Sequence, residues 1–281
     1  MISLSTEIWE TWECVFPFHW PAFGTMWVVA VVLFLTLKIA LIARDPDLAF
    51  CRQLGFLCCW PGMDIRPFHR RRHATFPTVA EYWPPVICLA AGIALLALAT
   101  TTQNPVATGW LGMASLILAV HYGLFHLLAL ALRAVGFQVK PIMGNPICVT
   151  SLGQFWGGTW NRAFTDAVHP LIVRPLARRV GINTALILAF LVSGLAHELV
   201  ISVPAHAGYG GPLLYFLIQG VALIVERHLR GTQWQVTTGN AGRLYAATIV
   251  LAPAPILFHP PFLERVIHPF VHFLTKPGLL P

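Results

Sequence analysis

Apolar runs long enough to cross a bilayer recur along this chain, and they constrain its fold more than any other feature. A hydrocarbon core about 30 Å thick needs roughly 20 apolar residues in a helix, with every backbone polar group paired inside the segment. Runs of this kind are read near 22–43, 84–103, 109–132, 183–204, 211–226 and 244–259. Shorter apolar pieces at 48–60 and 262–275 are read as re-entrant, interfacial or short spanning segments. Pro253, Pro255, Pro260 and Pro261 make the last region irregular. The expected fold is therefore all-α, a polytopic transmembrane helical bundle of about 6–8 spans with amphipathic interfacial helices. It fills residues 1–281 as a single domain, since no linker, repeat or low-complexity tract divides them. Composition agrees: charged residues make up 10%, against about 25% in soluble proteins, and the mean hydropathy is +0.69.

Charge placement predicts orientation. Arg44, Arg52, Arg66, Arg70, Arg71 and Arg72 follow the first run, and Arg133, Lys140, Arg162, Arg174, Arg178 and Arg179 follow the third. Arg227, Arg230 and Arg243 follow the fifth, whereas 104–108 and 205–210 carry no Lys or Arg. This alternation puts the N-terminus outside and the basic loops in the cytoplasm. Glu7, Glu10 and Glu13 precede the first run, no Lys or Arg does, and no small-residue cleavage site follows it, so a signal peptide is not expected there. The basic residues are almost all arginine, Lys38 and Lys276 being the lysines. That bias favours a bacterial inner (plasma) membrane as the location, with the endoplasmic reticulum as the counterpart if the chain is eukaryotic. The six cysteines show no CxxC spacing and are read as packed thiols, with no disulfide framework or metal site.

Two segments carry candidate chemistry. The run NTALILAFLVSGLAHELVISVP (183–204) holds His197 and Glu198, and ionisable groups inside a membrane are costly and normally functional. A zinc peptidase fails, because His197-Glu198-Leu199-Val200-Ile201 lacks the second histidine of HExxH. A di-iron lipid oxygenase has HxxxH spacings at His69–His73 and His268–His272, but the chain has no HH dipeptide and HRRRH is strongly basic. General base catalysis by His197 on a hydroxyl is the third reading. A transport or lipid-binding membrane protein, with His197 as a polar packing or proton-relay group, is the non-enzymatic alternative.

The second segment, 133–182, contains SLGQFWGGTWNRAF (151–164) and HPLIVRPLARR (169–179). Both read as amphipathic pieces on the membrane surface, with Arg174 and Arg178 at i, i+4. A basic rim beside His197 suits an anionic, phosphate-bearing co-substrate. His121 lies with Tyr122 inside the third run and is read as a polar group lining a tunnel or facing another helix. Gln219 is read as an interhelical hydrogen-bonding residue.

FWGGTWN (155–161), RPL (174–176) and SGLAHEL (193–199), preceded by WPGMDIRPF (60–68), resemble in order the motifs of the wax synthase-like branch of the membrane-bound O-acyltransferase superfamily. The resemblance covers about residues 60–204. It departs at Gly158 and Thr159, where members of the branch often carry basic residues. It implies a helical membrane enzyme that moves a fatty acyl group from acyl-CoA to an acceptor hydroxyl, such as that of a fatty alcohol. His197 and Asn161 map to the catalytic positions, Trp156 and Trp160 to the motif aromatics, and Glu198 to the HE pair. Arg174, Arg178 and Arg179 are expected to hold CoA phosphates, with Arg162 and His121 as further substrate contacts. No metal or cofactor is expected, acyl-CoA being a co-substrate. The partners expected are acyl-CoA, a lipid alcohol and membrane lipids, with no nucleic acid, and the chain is expected as a monomer or homodimer.

Overall fold

A computed structural model describes residues 20–275 except Arg72, Thr75, Trp234 and Val236. Glu7, Glu10, Glu13, Cys14 and Lys276, together with Arg72, therefore lie outside the described residues. All regular structure among the described residues is helical. Among the described residues, five helices are long and apolar enough to cross a membrane: α1 (Ala22–Ala43), then Val79–Ala99, Pro105–Ala134, Ile182–Ala205 and Gly211–Leu229. Gly239–Leu257 and Pro260–Thr275 form a bent pair, 66° apart, which makes a sixth if counted as one span. In chain order the elements after α1 are α2 (Phe50–Cys59), α3 (Val79–Ala99), α4 (Pro105–Ala134), α5 (Arg162–Val168), α6 (Arg174–Val180), α7 (Ile182–Ala205), α8 (Gly211–Leu229), α9 (Gly239–Leu257) and α10 (Pro260–Thr275). The chain is an integral, multi-pass, all-α bundle; its described residues supply five spans, or six with the bent pair, against the expected 6–8. The apolar segment at 48–60 is the short helix α2, only 10 residues long.

Local chemistry explains where the helices begin. The third element starts at Val79, five residues before the expected 84, because Thr78 and Glu81 form a capping box that pairs the first-turn donors. Pro84 and Pro85 then fall inside the helix. On α1 and α3, Val28, Val31, Val32, Leu35, Ile87 and Ile93 stay exposed, as side chains facing lipid would.

Lys38 is the one charged residue within α1, and it is fully buried. Its ammonium donates to the carbonyls of Phe56, Trp60 and Gly62, each at 2.7 Å. Three donors thus meet three acceptors. The carbonyls belong to the last turn of α2 and the loop after it, groups that a helix end otherwise leaves orphaned. The charge also lies 3.5 Å from the Phe56 ring centroid. Lys38 thereby pins the WPGMD loop against α1.

Two large apolar cores and one small one follow among the described residues. The first joins the start of α1 with α7, α8, α9, α10, Leu152 and Phe155, the second joins the end of α1 with α2, Phe68, Met143 and Ala163, and the small one joins Val168, Val173 and Ala189. Trp160 packs against both large cores, so the FWGGTWN segment lies at their seam. The helices α7 and α8 approach closely because Gly194 faces Leu213 and Gly220 faces Phe190. A Cβ at Gly194 would come within 2.9 Å of the Leu213 Cα.

Candidate active site

The seam segment is built from caps and one wide turn. The Ser151 hydroxyl accepts from the Gln154 N–H at 3.1 Å, and the Gln154 amide oxygen accepts from the Thr150 N–H at 2.9 Å. Buried Glu226 of α8 supplies the remaining acceptors, receiving the N–H groups of Leu152 and Gly153. Phe155–Thr159 then forms a π-helical turn, closed by the Trp160 N–H on the Phe155 carbonyl at 2.8 Å. Asn161 follows with φ 43°, a left-handed conformation that Asn tolerates better than most residues. Its Oδ1 accepts from the Phe164 N–H at 3.3 Å and caps α5. Fixing Oδ1 on the protein leaves the Nδ2 amide hydrogens as the free end of the side chain.

Trp156 and Trp160 are held in different ways. The Trp156 indole N–H donates to Gln219 at 3.2 Å, and Gln219 donates to the Ile249 carbonyl at 2.8 Å. Gln219 thus links α8, α9 and the tryptophan, as an interhelical residue should. Trp156 also meets Phe190 edge-on at 5.7 Å, and Trp160 stacks on Phe155 at 5.5 Å.

Trp156, Trp160, Asn161 and Phe190, with His197, line a cavity of about 740 Å³. That falls within the range of small-molecule sites. His197 sits in the middle of α7, its ring 4.4 Å from that of Phe216. Its Nδ1 lies 2.7 Å from the Ser193 carbonyl. A carbonyl only accepts, so Nδ1 carries a hydrogen, and in the neutral ring Nε2 then keeps its lone pair. Nε2 has no hydrogen-bond partner among the described residues. Leu186, Ala189, Phe190 and Leu223 supply apolar lining, and Gln154 lines the cavity together with Arg227 and Arg230 at the C-terminal end of α8, its basic end. Arg230 is steered by Glu226 at 3.1 Å.

His197, Asn161, Trp156 and Trp160 are thus brought to one cavity. The other candidates lie elsewhere. Glu198 points away: its Oε1 accepts from the N–H groups of Gly210 at 2.8 Å and Leu213 at 3.1 Å. It caps the start of α8, where Gly210 has no side chain to do so. Arg162 donates to the carbonyls of Gly158 and Pro141 and lines a separate cavity of about 320 Å³ with Asp64, Arg66 and Asp166. Burial and the nearby Asp64 push the Asp166 carboxyl above its ordinary pKa. Arg174, Arg178 and Arg179 are exposed on α6 and do not line the main cavity. His121 meets Phe125 edge-on within α4, also away from it. The basic groups that do reach the cavity, Arg227 and Arg230, were legible only as residues following the fifth run; their i, i+3 spacing at a helix end was the available signal. Among the described residues, no group of three or more His, Cys, Asp or Glu is placed to hold a metal.

Residues 139–218 match the Membrane bound O-acyl transferase family. A probable long-chain-alcohol O-fatty-acyltransferase 2 of Arabidopsis thaliana is 30% identical over 150 residues, 50% of this chain and 44% of that protein. An acyl-CoA–sterol O-acyltransferase 1 of the same plant is 31% identical over 146 residues, 48% of this chain and 42% of that protein. The long-chain-alcohol O-fatty-acyltransferase of Simmondsia chinensis is 29% identical over 106 residues, 34% and 30% of the two chains. The chain spans less than half the length of these relatives. The matched segment holds FWGGTWN and SGLAHEL, and these likenesses bear out the resemblance to the wax synthase-like branch of the membrane-bound O-acyltransferases.

Proposed function

From its likeness to the wax synthase-like membrane-bound O-acyltransferases, we propose that this protein moves a fatty acyl group from acyl-CoA to the hydroxyl of a lipid alcohol. The observation that carries the reading is the state of His197. It is an imidazole inside a spanning helix, with Nδ1–H tied to a backbone carbonyl and Nε2 free, in one cavity with the free amide end of Asn161. A neutral imidazole with an open Nε2 is a base poised for a hydroxyl.

In the proposed reaction the acceptor oxygen attacks the thioester carbonyl carbon as its proton passes to His197 Nε2. The carbonyl oxygen gathers negative charge and receives a hydrogen bond from Asn161 Nδ2. The tetrahedral species collapses, the carbon–sulfur bond breaks, and the imidazolium returns the proton to the departing thiolate. An ester and free CoA thiol remain, with no covalent enzyme species and no net proton change. The apolar lining of Leu186, Ala189, Phe190 and Leu223 suits the hydrocarbon parts of the substrates, and holding both substrates in one cavity supplies proximity. Arg227 and Arg230 at the basic end, which we take as cytoplasmic, are the guanidiniums that meet the donor's phosphates.

The test is ester formation by the purified protein with labelled palmitoyl-CoA and a panel of fatty alcohols, sterols and glycerides. Labelled ester that depends on one class of alcohol supports the reading and names the acceptor. Folded protein that forms no ester with any of them contradicts it.

A further inference from the structure

Gly157 and Gly158 occupy the middle of the π-helical turn, and neighbouring atoms do not explain their lack of a side chain. A Cβ built at either meets no atom within 4 Å. Both have negative φ, so the backbone does not require glycine at either position. What adjoins Gly157 is open space on several sides. It lines the main cavity, the separate cavity beside Arg162, and a groove of about 400 Å³ edged by Asn145, Cys148 and Thr159. Gly153 and Gln154 also border both this groove and the main cavity.

We propose that Gly157 is the threshold over which the acyl donor reaches His197, and that its missing side chain sets which donors pass. The proposal rests on the acyl-CoA reading above. The donor's phosphates stay at the basic end near Arg227 and Arg230, and its thioester lies at His197. The narrow arm that joins them crosses the backbone of the Phe155–Thr159 turn at Gly157. A side chain there projects into the passage without striking the protein, so it obstructs the donor while leaving the fold intact. The effect belongs to donor binding and not to the acceptor.

The experiment compares wild type, Gly157→Ala and Gly157→Leu in detergent. It measures binding of a non-reactive thioether analogue of palmitoyl-CoA, ester formation, and the thermal midpoint. The expected result is graded: analogue affinity and kcat/KM for the donor fall modestly in Gly157→Ala and at least tenfold in Gly157→Leu. KM for the alcohol and the thermal midpoint stay at the wild-type values. Should Gly157→Leu fold poorly, Gly157→Cys in an otherwise cysteine-free protein, alkylated after folding with a bulky maleimide, gives the same comparison against the cysteine-free parent treated identically. Equal analogue affinity in wild type and the blocked protein overturns the threshold alone. Wild-type protein that binds no analogue and forms no ester overturns the acyl-donor reading, and the threshold with it.

Discussion

Asn161 and Glu198 each hold two jobs in prospect, and conservative substitutions separate them. Asn161 caps α5 with Oδ1 and lines the cavity, and Nδ2 is the donor that the proposed reaction uses. Asn161→Asp keeps the acceptor and loses the donor, whereas Asn161→Ala loses both. We expect Asn161→Asp to retain the thermal midpoint and lose transfer by roughly 10²–10³, the scale of one oxyanion donor. Asn161→Ala should lose that activity and about 1 kcal/mol of stability as well. Wild-type turnover in Asn161→Asp would leave the side chain a cap only. For Glu198 the expectation is reversed. Its Oε1 holds two N–H groups at the start of α8, so Glu198→Ala should cost about 0.5–2 kcal/mol. Glu198→Gln, which keeps an acceptor oxygen, should cost less and transfer normally. Lost transfer in a stable Glu198→Gln protein would return Glu198 to the substrate. At Asp166 a raised pKa in the folded state means that stability falls as pH climbs through that pKa. Asp166→Asn should abolish this fall in a pH series of thermal midpoints.

Among the elements, long apolar runs were legible because burial in lipid leaves few alternatives, and their expected limits differ from the helices by a few residues. Side-chain direction was less legible. Wide π turns at Phe155–Thr159, His169–Val173 and Glu198–Ser202 break the 100° phase on which helical faces are read. His197, Asn161, Trp156 and Trp160 could be found from their motifs, but the outward turn of Glu198 could not. Arg174, Arg178 and Arg179 are near the motif in sequence but stay exposed on α6, whereas Arg227 and Arg230 reach the cavity because α8 packs against α7. Lys38 shows the same gap. A lone ammonium in an apolar run signals a partner, but its three carbonyls lie 18 to 24 residues away. Lys38→Met should expose that role: each buried carbonyl left unpaired costs about 1–3 kcal/mol, so a clear drop in thermal midpoint is expected. An unchanged midpoint would mean that water or lipid replaces the ammonium.

At the scale of the molecule, the basic and neutral ends of the spans make a claim about sidedness. Cys148 lies at the basic end and Tyr209 in the loop between α7 and α8, both exposed. In otherwise cysteine-free protein in intact cells, Tyr209→Cys should react with an impermeant maleimide. Cys148 should react only after permeabilisation; the opposite pattern would invert the orientation. On the proposed reading the donor's phosphates lie at the basic end of the cavity and its thioester at His197. The most direct measurement is alcohol-dependent CoA release by wild type and His197→Ala at equal thermal midpoint. A fall of about 10²–10⁴ in the variant is the predicted result, the scale of a positioned general base. Release at the wild-type rate would contradict the central claim and remove His197 from the chemistry.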